Sequence, residues 1–112
     1  MARITISAIT GPVTVMVGGM SLGGSRKALE LKEDGYQPVL YLPREDIDMS
    51  RLVRTERVTT CPWKGQASYY SIRTDGEVLE NAVWTYEDPL PEVARIARHL
   101  AFYPARVTVR RG

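Results

Sequence analysis

Apolar and polar residues change places along this chain in short steps, and most of the steps are of two. Arg3 to Ala8 alternates polar and apolar, as a strand with one buried face does. Thr14-Val15-Met16-Val17 follows a Gly11-Pro12 turn and is rich in β-branched residues. Gly18-Gly19 and Gly23-Gly24 bracket Met20-Ser21-Leu22, which predicts two turns in quick succession. Ala28 to Lys32 suits either state: Leu29 and Leu31 fit alternation, while the residues individually favour helix. Asp34-Gly35 and Pro38 close the segment quickly and tip it to strand. Val39-Leu40-Tyr41-Leu42 reads as a strand ended by Pro43, and Glu45 to Leu52 as holding a helical turn. Ser68 to Arg73 and Val78 to Tyr86 flank Thr74-Asp75-Gly76, the strongest short-range hairpin signal in the chain.

One segment carries a helical pattern. In Pro91 to Leu100, Pro91 suits a first helical position and Glu92 the positive end of the dipole. Arg95, Arg98 and His99 stand toward the negative end, and Val93, Ile96 and Leu100 give one apolar face at i, i+3 and i+7. Arg106 to Arg110 then alternates again, with Val107 and Val109 on one face. The expectation is a mainly β chain with one short C-terminal helix, folded as a barrel or as a pair of packed sheets.

Length and charge narrow the class. A chain of 112 residues is expected to be one domain over 1–112, with a single core that needs no metal or disulfide. Fifteen Lys/Arg against thirteen Asp/Glu leave +2, too balanced to imply a nucleic-acid or anionic-membrane partner. The small basic cluster of Arg106, Arg110 and Arg111 reads as a solvated tail. One cysteine makes no internal disulfide, and no apolar run approaches the roughly 20 residues that span a bilayer. Met1 to Thr5 has no apolar signal core. A soluble cytoplasmic protein is expected.

The candidate chemistry gathers in Thr59-Thr60-Cys61-Pro62-Trp63-Lys64-Gly65-Gln66-Ala67-Ser68-Tyr69-Tyr70. It sets the only cysteine three residues from a lysine, with Pro, Trp and Gly around them. A nearby ammonium favours the thiolate, the reactive form of cysteine. Lys64 serves equally well to hold a phosphate or carboxylate, with the Gly65 amide unobstructed beside it. The plainer alternatives are Cys61 as a small buried hydrophobe and Lys64 as a solvated charge. Seven of the nine aromatic residues fall from Trp63 onward, and Trp84 and Tyr86, two apart on a strand, share a face. They form either a core or the wall of a pocket for a planar ligand.

Other chemistries fit poorly. One Cys and one His do not furnish the three or four ligands of a zinc site. The only histidine, His99, reads as a helix C-terminal residue. Gly23-Gly24-Ser25-Arg26-Lys27 lacks the Gly-Lys-Ser/Thr ending of a phosphate loop and reads as turns between strands.

Four segments together resemble a known family. They are Tyr41-x-Pro43-x-x-Asp46-Ile47, Thr60-Cys61-Pro62-x-Lys64-Gly65-x-Ala67-x-Tyr69-Tyr70, Trp84-x-Tyr86-x-x-Pro89 and Ala101-Phe102-Tyr103. They look like successive signatures of the DUF427 family of bacterial and fungal proteins, and run through nearly the whole chain. The resemblance implies a β-tent of the Mss4-like kind, two antiparallel sheets meeting along one edge. Other β-tent families hold zinc through paired Cys-x-x-Cys motifs. This chain, with one cysteine, resembles a branch without the metal, so no cofactor is expected. A nucleotidyltransferase label is sometimes attached to the family.

The leading expectation is a module binding a small anionic or aromatic ligand in a cleft made by Tyr41, Lys64, Gly65, Tyr70, Trp84 and Tyr86. In it Lys64 pairs with an anionic group while the rings cover the apolar part. The alternatives are an enzyme with Cys61 as nucleophile and Lys64 lowering its pKa, or a structural or protein-interaction domain. Pairing through edge strands into a homodimer is a further expectation.

Overall fold

The computed structural model describes residues 3–112. Ten strands arrange in two antiparallel sheets. They are β1 (Ile4–Ala8), β2 (Val13–Val17), β3 (Met20–Ser25), β4 (Leu29–Glu33) and β5 (Val39–Pro43). The second half adds β6 (Leu52–Cys61), β7 (Gly65–Arg73), β8 (Val78–Thr85), β9 (His99–Phe102) and β10 (Thr108–Arg111). Seven strands form the larger sheet, in the order β1-β4-β5-β9-β8-β7-β6, and three form the smaller, β10-β2-β3. The sheets are separate, so the barrel alternative is overturned and the two-sheet expectation stands.

The period-2 alternation decides which side chains face which layer. Leu42, Ile72, Val83 and Leu100 of the large sheet meet Val13, Val15 and Leu22 of the small one, and this interface is the main core. Their strand neighbours Tyr41, Tyr69, Trp84 and Ala101 point to the opposite face. Among the described residues no second sheet covers that face. The turn over Pro91–Ile96 packs there through Val93 and Ile96, and beside it the surface is concave.

The expected helix over Pro91 to Leu100 is corrected. Pro91–Ile96 is a 3-10 segment, kinked at Val93, and the chain leaves it at Ala97 in an extended conformation. Val93 and Ile96 are three apart, so the same pair satisfies a 3-10 face as well as an α face. Leu100 is buried instead by β9, which fills the gap between β5 and β8 and pairs with both. Without it those two strands would present unpaired amides and carbonyls inside the sheet. His99 is therefore no helix-terminal residue: it opens β9 opposite Pro43, and its Nδ1 lies 3.0 Å from the Ala97 carbonyl.

The second glycine pair is also corrected. Gly18 turns at φ +58, but Gly23 and Gly24 lie inside β3. Gly23 at φ +139 bridges to Ile47, and a Cβ there would run into the Asp46 backbone oxygen. Its lack of a side chain serves this close approach rather than a turn. Strand β6 had no clear signal, since Arg54, Glu56 and Arg57 interrupt any alternation. It is an edge strand paired only with β7, and its register breaks between Arg54 and Val58. Among the described residues no helix is long and apolar enough to cross a membrane.

Candidate functional site

A concavity of about 950 Å³ opens on the uncovered face of the large sheet. Its floor is built from three neighbouring strands. Trp84 stands opposite Ala101 across β8 and β9, and the β5–β9 register (Pro43 with His99, Leu42 with Leu100) carries on to set Tyr41 beside Ala101. With only a methyl group between them, the two large rings meet over the middle strand. They pack edge to face at 6.4 Å, and the Trp84 indole N–H donates to the Tyr41 hydroxyl at 3.2 Å. Tyr103 packs against Trp84 at a tilt of 53°, with ring centroids 4.7 Å apart. Tyr69, opposite Trp84 on β7, extends the aromatic floor, and the Arg57 guanidinium covers its ring at 4.9 Å.

The wall comes from the turn between β6 and β7. The Lys64 amide donates to the Cys61 carbonyl at 3.3 Å, and the Leu90 amide to the Lys64 carbonyl at 2.9 Å. Gly65, at φ +112, lets the chain reverse against Pro89 and Leu90. The Lys64 side chain so held donates to the Glu33 carboxylate at the end of β4, with Nζ to Oε1 at 2.8 Å. Both side chains are only about one-tenth exposed, at 11% and 12%. Burial pushes the Lys64 ammonium toward losing its proton. The hydrogen bond to Glu33 and the nearby negative charge outweigh that and hold it above the ordinary lysine range.

Burial also raises the Tyr41 and Tyr86 phenols well above the ordinary tyrosine value, so both stay protonated. Burial pushes Tyr69 the same way, but the Thr59 hydroxyl at 2.8 Å and the Arg57 charge prevail and lower it. Among the described residues the Tyr86 hydroxyl has no hydrogen-bond partner, although its side chain lines the cavity.

Of the residues expected at a site, Tyr41, Cys61, Lys64, Trp84 and Tyr86 converge on this one cavity. Gly65 and Tyr70 do not line it. Gly65 shapes the turn that presents Lys64, and Tyr70 points into the core between the sheets, under the Arg44 guanidinium. The Lys64 ammonium is directed to Glu33, and among the described residues no histidine lines the cavity beside Cys61.

The cavity also takes in Glu33 and Gln37, which the sequence does not mark, and Tyr69 and Tyr103, from the aromatic group read as core or pocket wall. Nothing in the sequence marks Glu33, a single acid at a strand end. Tyr69 had a usable signal: it shares strand parity with Ala67, whereas Tyr70 does not.

The family model described as Domain of unknown function (DUF427) matches residues 5–111, nearly the full length. The chain belongs to the DUF427 family. No curated protein matches it. The match takes in every strand from β2 to β10, hence every element that builds the cavity of this DUF427 domain.

Proposed function

We propose that this DUF427 domain binds a small molecule with a planar, largely apolar body in the cavity floored by Tyr41, Trp84 and Tyr86. The observation that carries the reading is the convergence of Tyr41, Trp84, Tyr86 and Tyr103 on one aromatic concavity that also holds a buried ion pair. A folding core does not need an open aromatic floor of this kind, and ion pairs are costly to bury. The expected split between anionic and aromatic ligands shifts toward the aromatic, because the Lys64 charge is already matched by Glu33. Lys64 is the polar anchor in this reading, and Cys61 contributes wall rather than a nucleophile. With it go a single domain in a soluble cytoplasmic setting and a β-tent layout of the Mss4-like kind. The support for the layout is the shared core between the seven- and three-stranded sheets.

Melting temperature in the presence of indole and quinoline tests the reading, since a ligand of the native state raises it by mass action. The wild-type protein should be stabilised and Trp84→Ala should not. Equal shifts in both proteins would place binding elsewhere and overturn the proposal.

A further inference from the structure

The chemistry of the Lys64–Glu33 pair specifies the polar end of the ligand, and the step rests on the binding reading above. The lysine ammonium has three N–H bonds, and one goes to Glu33 Oε1. Among the described residues neither its other two nor Glu33 Oε2 has a partner, and both side chains line the cavity. The wall thus offers donors and an acceptor side by side, with no net charge.

A charged ligand is badly served by such a wall. A carboxylate brought to Lys64 also approaches Glu33, and at comparable distances that repulsion cancels much of the attraction. A cation meets the mirror image of the problem. Each would also lose its hydration on entering an aromatic cavity. A neutral group with an acceptor and a donor on one edge avoids both costs. Its carbonyl accepts from Lys64 and its N–H donates to Glu33.

We infer that the cavity recognises neutral planar compounds bearing an amide-type edge, a carbonyl next to an N–H, as in aromatic carboxamides and lactam-bearing heterocycles. The ring lies on Trp84 and Tyr103, with the buried Tyr41 holding the indole from behind, and the amide edge completes the open valences of Lys64 and Glu33. Selectivity comes from the pair acting together rather than from the cation alone.

Three probes of one shape separate the cases: benzamide, benzoate and benzamidinium are neutral, negative and positive at pH 7, and toluene supplies the ring alone. Trp63 and Trp84, the chain's two tryptophans, both line the cavity, so fluorescence titration reads binding there. Benzamide should bind at least about tenfold tighter than each of the other three. Glu33→Gln should move the preference to benzoate, and Lys64→Met to benzamidinium. If either variant fails to fold, the wild-type ranking decides alone. Benzoate or benzamidinium binding as tightly as benzamide overturns the inference. Toluene equalling benzamide overturns it too, but leaves the aromatic-ligand reading standing. No saturable binding of any probe up to about 10 mM overturns both.

Discussion

Lys64 and Glu33 are 31 residues apart in sequence, and their side chains meet at 2.8 Å. Their strands are far apart in the sheet, since β5, β9 and β8 lie between β4 and β7. On a flat sheet four inter-strand steps would separate them by about 19 Å. The pair therefore closes over a sheet that curls, and the concave side of that curl is the aromatic cavity. The ion pair is both part of the wall and a tie between its two sides.

Breaking the tie should cost stability. Lys64→Met leaves the Glu33 carboxylate buried and unmatched, an expected loss of about 2–3 kcal/mol, moderated by its slight exposure. Adding Glu33→Gln should restore a good part of that loss. Urea denaturation of the two single variants and the double variant measures the coupling. A loss below about 0.5 kcal/mol for Lys64→Met would mean that the contact behaves like an exposed pair.

Stability should fall at alkaline pH. Lys64, Tyr41 and Tyr86 all hold their protons more tightly when folded than when unfolded. Their contribution is fully present below the unfolded values, about pH 10, and is lost as pH rises above them, because the unfolded chain releases protons first. Tyr86→Phe should flatten that decline. The check is tyrosinate absorbance alongside circular dichroism: two phenols should ionise only with unfolding. Full ionisation in the folded protein would contradict the burial of these rings.

Tyr69 and Tyr70 should behave as residues of different layers. Tyr70→Ala opens a hole between the two sheets and should cost about 3–5 kcal/mol. The native fraction should still bind quinoline with unchanged affinity. Tyr69→Ala should weaken quinoline binding. Calorimetric titration of both variants distinguishes them, and a large affinity loss in folded Tyr70→Ala would contradict the assignment of faces.

Ala101 should tolerate little growth. It is fully buried between the Tyr41 and Trp84 rings, so Ala101→Leu is expected to destabilise by about 1–3 kcal/mol and break the indole hydrogen bond. A shifted indole N–H resonance of Trp84 would report the second effect. An unchanged resonance in a folded variant would show that the rings do not meet across this methyl.

The strands holding Leu29 and Leu31 or Val39 to Leu42 were legible from a short alternating or apolar run closed off by turn residues. So was the hairpin at Asp75-Gly76. Strand β6 was not, because an edge strand exposed on much of its length carries no alternation. The helical pattern of Pro91 to Leu100 misled for a specific reason. Val93 and Ile96 suit a 3-10 turn as well as an α-helix, and His99 to Phe102 are claimed by the gap between β5 and β8. At the site, the turn holding Cys61 and Lys64 and the Trp84/Tyr86 face stood out through unusual residues at close spacing. Glu33 did not, because its role arises only when the sheet curls and brings β4 over to the β6–β7 turn.

The most direct test of a binding cavity on the concave face is a quinoline titration followed in proton–nitrogen correlation spectra of the wild-type protein. Saturable shifts should centre on the indole N–H of Trp84 and the amides of Lys64, Tyr69 and Tyr86, with Tyr70→Leu giving the same pattern. Shifts that do not saturate, or that centre on the three-stranded sheet or the β6 edge instead, would contradict it.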